Sequence, residues 1–311
     1  MLGKTAGGLL WMFRYLERAE NLARLVDTGQ RIALTRDEGS EWGSVLQTAA
    51  AQSAYEVHHD DTTSDQVVDW LLRGKDNPTS VLACMEAART NGRVVRTALT
   101  REVWEAVNEG WMKTRDILSR RVAVRDLPTV LQTIRQRSAF VRGTLHGTML
   151  RDDAYDFARL GTFLERADAT ARLLDVKYYV LLPSAAGVGS AVDNAQWEMI
   201  LRGVSAESAF RMIHGQGWGA RDIARFLILD GRMPRSLSFC YDKIGSNLGY
   251  LEREYGLRQP SHDLAEAMCR DLARASVERI FEDGLHEFLQ DFTHRNARLA
   301  AQIETDFRFA A

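Results

Sequence analysis

The sequence predicts an all-α protein, built as a tandem duplication of one multi-helix bundle. Three observations carry this. Apolar residues recur at three- and four-residue spacing almost everywhere, the period of one face of a helix. Proline is scarce, at 5 residues, and alternating β-branched runs are nearly absent; "RVAVRD" around Val122 is the one short candidate strand. The chain also writes one helical phrase twice: "RYLERAENLARLVD" from Arg14 and "TFLERADATARLLD" from Thr162 share eight of fourteen positions.

A single matched block can arise from convergent helix chemistry, so the order of further blocks decides. "EWGSVLQTAAAQSAY" matches "QWEMILRGVSAESAF", pairing Trp42 with Trp197, Leu46 with Leu201, Ser53 with Ser208 and Tyr55 with Phe210. "WLLRGKDNPTSVLAC" matches "FLILDGRMPRSLSFC", pairing Pro78 with Pro234, Ser80 with Ser236 and Cys84 with Cys240. Three collinear blocks at nearly constant offset predict two copies, 1–150 and 151–311, packed about a pseudo-twofold axis. Beyond Cys84 and Cys240 the copies diverge.

Helix boundaries follow from Pro, Gly and N-capping side chains between periodic segments. They are predicted at Thr5, at Asp60 and Asp61, at "KDNPTS" before Val81, and at Pro128. Further breaks fall at "RDDAYD", "LLPSAAGVGSAVDN", "DGRMPRS" and "LRQPSHD".

The 311 residues are enough to bury a sizeable core. With 45% hydrophobic and 26% charged residues the composition is that of an ordinary globular protein. Forty basic and 42 acidic side chains leave a net charge of −2, without the basic excess that a nucleic-acid partner requires. Cys84, Cys240 and Cys269 match no zinc or redox spacing and fit reduced, buried thiols. The first residues lack a cleavable leader pattern, since Arg14, Glu17 and Arg18 interrupt the apolar run. No uncharged stretch is long enough to span a bilayer. A cytoplasmic location is the expectation.

On a helix of 3.6 residues per turn, Trp11, Tyr15, Leu22 and Leu25 form one stripe. Met12, Leu16, Ala19, Ala23 and Val26 form the next. Arg18 falls inside the first stripe, and Glu17 lies at the edge of the polar side. Glu20 with Arg24, Arg24 with Asp27, Asp168 with Arg172, and Arg172 with Asp175 read as solvated pairs within one helix. Arg18, Arg166 and Glu165 have no opposite charge three or four residues away; Glu17 has only Arg14. A charge on a packed face without a partner costs several kcal/mol, roughly, so partners far along the chain are expected. Either Glu17 meets Arg166 and Glu165 meets Arg18 across the two copies, or the four line a polar cleft that binds an ionic ligand. The two readings are compatible, and both stay open.

Other candidate chemistry is thin. "LGKT" at Leu2 resembles the end of a phosphate loop, but the upstream glycine and preceding strand are missing. "HHDD" at His58 and "DGLHEFLQDFTH" at Asp283 bring His near carboxylates, yet neither supplies the paired Glu-x-x-His of a di-iron bundle. They read as solvated or capping groups, and no metal or cofactor is expected. Trp11, Trp42, Trp70 and Trp197 read as core.

"WMFRYLERAENLARL", "NPTSVLACMEAARTNGRVVR", "REVWEAVN", "FARLGTFLERADATARLLDVKYYVLL" and "FLILDGRMPRSLSFC" together resemble the bacterial alpha-E family, helical proteins with a Glu-Arg signature that typically occur as a tandem duplication. The resemblance covers nearly the whole chain. Its carried-over positions are Glu17, Arg18, Glu165 and Arg166. Phe13 stands where the family usually has glycine, and Thr162 where Arg is common, so Arg14 has no basic counterpart in the second half. The resemblance implies partners: circularly permuted ATP-grasp ligases and transglutaminase-like proteins, in peptide synthesis or modification. The expected role is an accessory subunit, not catalytic alone, that presents a peptide-like substrate at the Glu-Arg centre. Two rivals are a carboxylate-dependent transferase or hydrolase using Glu17 or Glu165 as acid-base, and a pure helical scaffold. A homo-oligomer is compatible with all three.

Overall fold

The computed structural model describes residues 1–33, 41–181, 191–215 and 217–309. Among these residues the chain is helical throughout and contains no strand. The first half runs α1 (Gly3–Ala33), α2 (Glu41–Thr48), α3 (Gln52–Glu56), α4 (Ser64–Arg73), α5 (Val81–Val94), α6 (Arg101–Ile117) and α7 (Leu127–Thr148). The second runs α8 (Asp153–Leu181), α9 (Ala191–Gly203), α10 (Glu207–His214), α11 (Ala220–Leu229), α12 (Leu237–Tyr255), α13 (Pro260–Arg274), α14 (Val277–Asp283) and α15 (Leu285–Asp306). "RVAVRD" is part of the loop between α6 and α7, not a strand. Its alternation spans too few residues, with no neighbouring strand to pair with.

Most breaks coincide with their punctuation. Ser80 and Ser236 cap α5 and α12, each hydroxyl accepting from the amide three residues on. Thr63 and Thr100 do the same for α4 and α6, and Pro128 sits in the first turn of α7. Thr5 is not a boundary, because α1 already starts at Gly3. Residues 182–190 of the "LLPSAAGVGSAVDN" break lie outside the described residues.

The two long helices α1 and α8 pack against each other at the middle of the molecule. Around α1 lie α5 and α7; around α8 lie α12 and α15. Contacts also cross over, α1 touching α9 and α8 touching α2. Leu9, Leu10, Met12, Phe13 and Leu16 meet Phe157, Leu160 and Leu164 in one continuous buried cluster that draws on both halves. Small residues bring the axes close: Ala19 and Ala23 on α1, Ala167 and Ala171 on α8. The closest approach is at Gly161, where a Cβ would collide with the Leu10 carbonyl. Ser138 of α7 donates to the Leu16 carbonyl, and Asn296 of α15 donates to the Leu164 carbonyl. Each long helix is thus tied to its own half by a buried hydrogen bond one residue before its Glu-Arg doublet.

Trp42, Trp70 and Trp197 are core, while Trp11 is half-buried beneath the Arg14 guanidinium, 4.5 Å from its ring centre. No described helix is long and apolar enough to cross a membrane.

Candidate functional site

The packing of α1 on α8 brings all five sequence-predicted residues together in two neighbouring ion-pair groups, one on Glu17 and one on Glu165. Arg166 donates to both oxygens of Glu17, Nε at 2.9 Å and Nη2 at 2.9 Å. Arg18 donates to both oxygens of Glu165, Nε at 2.5 Å and Nη2 at 3.0 Å. Both are two-pronged guanidinium–carboxylate contacts, the strongest form of such a bond. Arg14 adds a third donor to Glu165, at 3.0 Å. Thr162, its counterpart in the second half, turns back on its own helix and donates to the Ala158 carbonyl.

Glu17 is only 1% exposed, well inside the polar edge where helical spacing places it. Two arginines that sequence spacing did not single out account for this. Arg235, from the loop before α12, donates to Glu17 at 3.0 Å and to Glu20 at 2.6 Å. Arg142, from α7, reaches the same two carboxylates. The consequence for Glu20 is a correction: it does pair with Arg24, but at 0% exposure it is part of the buried network, not a solvated pair. Other local pairings also differ. Asp27 takes Arg31 and Arg135 in place of Arg24, whose Nη1 instead reaches the Gly203 carbonyl and Ser205. Asp175 takes His286 in place of Arg172, which keeps Asp168. In both cases a base from another helix, Arg135 or His286, takes part where the arginine three residues back does not.

Burial alone would push these carboxyls toward protonation. For Glu17, Arg166, Arg235 and Arg142 outweigh that and hold its pKa well below the carboxylate range. Burial and the nearby Glu17 raise Glu20, yet Arg235, Arg142 and Arg24 leave it lowered. Burial raises Glu165, while Arg14 and Arg18 bring it below its ordinary value. Burial pulls the Arg235 guanidinium down to about 10, a value at which it still carries its charge at neutral pH. Cys84 and Cys240 flank the two doublets, and burial pushes both thiols up to about 12, which leaves them protonated and inert. A general base needs a pKa near the working pH and free lone pairs. Glu17 and Glu165 are instead held ionised below the ordinary carboxylate range, and arginines cover both.

Beside this cluster lies a cavity of about 230 Å³, bordered by Arg18, Asn21, Glu165, Asp168, Arg172 and Arg235. Leu22, Leu25, Leu173 and Val204 give it an apolar wall, and Arg24, Thr48, Thr79 and Thr170 add polar groups. The ion pairs here fall into three groups, on Glu165, on Glu17 with Glu20, and on Asp168, and together they hold seven guanidiniums, Arg14, Arg18, Arg24, Arg142, Arg166, Arg172 and Arg235. Against them stand four carboxylates, Glu17, Glu20, Glu165 and Asp168, an excess of three positive charges among the described residues.

The histidine clusters lie elsewhere. His59 stacks on Tyr55 at 4.2 Å and His58 lies against Trp70, and no group of described residues has the makings of a metal site.

Comparison with known proteins agrees with this architecture. The model of the Alpha-E family, described as a predicted alpha-helical domain with a conserved ER motif, matches residues 1–307. The chain is 24% identical to an uncharacterized protein of Mycobacterium bovis, over 99% of this chain and 37% of that protein. Uncharacterized proteins from two strains of Mycobacterium tuberculosis match over the same shares at 24% and 23% identity. The chain therefore spans little more than a third of the length of these curated relatives. No solved structure matches. Helical throughout, with paired Glu-Arg doublets at its centre and a family match over nearly its whole length, the chain belongs to the Alpha-E family.

Proposed function

We propose that this protein is an accessory helical subunit of a peptide-bond-forming or peptide-modifying system. It acts beside a circularly permuted ATP-grasp ligase and a transglutaminase-like protein, and holds the ionised end of a peptide-like substrate at the Glu-Arg centre. The observation that supports this most is the cavity between α1 and α8, whose lining sets four guanidiniums, Arg18, Arg24, Arg172 and Arg235, against two carboxylates, Glu165 and Asp168, beside an apolar wall. A purely structural network has no need of surplus charge, which costs desolvation without return. The carboxylates, held ionised and covered by arginines, suit holding better than proton transfer. In the curated relatives the matching segment is part of a much longer chain, in keeping with work done alongside another domain.

The reading takes 1–150 and 151–311 as copies related about a pseudo-twofold axis. Matching helix order, crossed contacts of α1 with α9 and α8 with α2, and left-handed turn residues at Ala50 and Ser205, which align in the repeat, support it.

The test is recovery of a tagged chain from its native host. Co-purification of an ATP-grasp protein is expected, and its absence under crosslinking would remove the partnership. Arg18→Ala, assayed with the recovered ligase, should lower product formation through the KM for the peptide-like substrate; an unchanged KM would remove the substrate-holding role.

A further inference from the structure

The two sides of the Glu-Arg centre are not equivalent, and the difference makes the cavity. In the aligned repeats Arg235 corresponds to Thr79, Asn21 to Ala169, and Ser205 to Ala50. On one side Arg235 fills the space over Glu17, Asn21 and Glu20, and Ser205 accepts a hydrogen bond from Arg24 at 2.7 Å. On the other side the short Thr79, Ala169 and Ala50 leave the corresponding space open, and all three border the cavity. Arg172, which corresponds to Arg24, has no serine to reach and keeps a side chain 40% exposed. One side is sealed and the other is a socket.

The unused hydrogen-bonding groups around the socket define what fits it. Asn21 Oδ1 accepts from Arg235 at 3.0 Å, which fixes the amide orientation and leaves Nδ2 buried without a partner. Arg172 commits only Nε, to Asp168, and Arg18 commits Nε and Nη2 to Glu165. Arg18 Nη1 and both Nη atoms of Arg172 have no hydrogen bond among the described residues. Four donors stand against one uncommitted carboxylate oxygen, Asp168 Oδ1. A buried donor without an acceptor is costly, and a surplus of fixed positive charge favours the ligand that cancels it.

We propose that the socket binds a small anionic head, a carboxylate or a phosphate, on a short apolar stem. The head lies between Arg18, Arg172 and Asn21, the stem lies against Leu22, Leu25 and Leu173, and Thr79 and Ala50 keep the site open. This rests on the ligand-holding role proposed above and names its chemistry. A peptide's terminal carboxylate and a phosphate monoester share that chemistry. Asp168 Oδ1 adds an acceptor that the amide N–H beside a peptide carboxylate can use.

The experiment is calorimetric titration of the intact chain with N-acetyl-dialanine, its C-terminal amide, phenyl phosphate and agmatine, at matched ionic strength. N-acetyl-dialanine or phenyl phosphate should bind at least about tenfold more tightly than the neutral amide or the cationic agmatine, since one lost charge-assisted contact exceeds about 1.4 kcal/mol. Whichever of the two binds more tightly identifies the source of the anion. Thr79→Arg places a guanidinium where Arg235 sits on the sealed side, and should abolish binding while leaving helicity and melting at least as high as in the parent. Arg172→Gln, at a side chain 40% exposed, should weaken binding about tenfold. Agmatine binding that Thr79→Arg removes would overturn the anionic assignment and keep the socket as a ligand site. Binding of none of the four probes, with an unaltered KM for the Arg18→Ala protein beside its ligase, would overturn both proposals. Equal anion binding by the parent and Thr79→Arg would place the anion outside the socket and overturn this one.

Discussion

Removing the Arg166 guanidinium tests the central claim about what holds the halves together. Glu17 is 1% exposed and accepts from Arg166 twice, at 2.9 and 2.9 Å, from Arg235 at 3.0 Å and from Arg142 at 3.2 Å. Arg166→Ala takes two of these four bonds and leaves the carboxylate buried. Breaking one member of a buried pair costs about 3–5 kcal/mol, and the two surviving arginines place the expectation at the lower end, about 3 kcal/mol. For a chain of this size that lowers Tm by roughly 4–5 °C. The pH dependence separates an electrostatic cause from a packing one. Glu17 has a folded pKa depressed below its ordinary 4.5, so it contributes stability that is present above pH 4.5 and is lost as pH falls through the folded value. Without Arg166 the folded pKa rises, and acid takes less from the variant than from the parent. Urea midpoints of parent and variant measured at pH 7 and pH 3 should therefore converge at the lower pH. Arg101→Ala removes an exposed pair with Glu105 and is the control, with no change expected. A loss for Arg166→Ala no larger than this control, or one equal at both pH values, would refute the reasoning.

Gly161→Ala drives a methyl into the Leu10 backbone and should destabilise by at least about 2 kcal/mol, whereas Gly143→Ala in α7 has open space and should gain up to about 1 kcal/mol; matched urea curves decide. Asp156 is buried beside Asp152 and Asp153, and burial first, then those neighbours, push its carboxyl up to about 7. A raised acid weakens the fold as pH rises from 3.8 through 7, so Asp156→Asn should stabilise by about 1–3 kcal/mol at pH 8, after discount for partial solvent access, and by much less at pH 4. Equal gains at both pH values would point to packing instead. Ser236→Ala removes the cap on the Phe239 amide and the bond to the Asp230 carbonyl, for a loss of about 1–2 kcal/mol by thermal melt.

Many of the helices were legible in the sequence because their ends are marked locally. Ser80, Pro128 and Ser236 lie in breaks read from the sequence, and the apolar stripes of α1 follow its period. The charge cluster was legible only as a deficit: Arg18, Arg166 and Glu165 lack counter-charges along their own helices. What completes it comes from far away. Arg142 reaches Glu17 across 125 residues and Arg235 across 218, and no periodic pattern encodes such a meeting. Glu20 misled for the same reason. Its local pair with Arg24 is real, but burial depends on Arg142 and Arg235, which local spacing leaves unseen. The socket was hidden in plain text, as three aligned positions where a short residue faces a longer one.

The placement of Arg235 has a consequence for how the chain is made. Glu17 and Glu20 are translated more than two hundred residues before their last counter-ion, Arg235. Until then α1 carries two carboxylates that cannot enter a dry interior without cost. Among the described residues of the first half only Arg24 and Arg142 reach these two carboxylates, and the full set of counter-charges is present only once the loop before α12 is made.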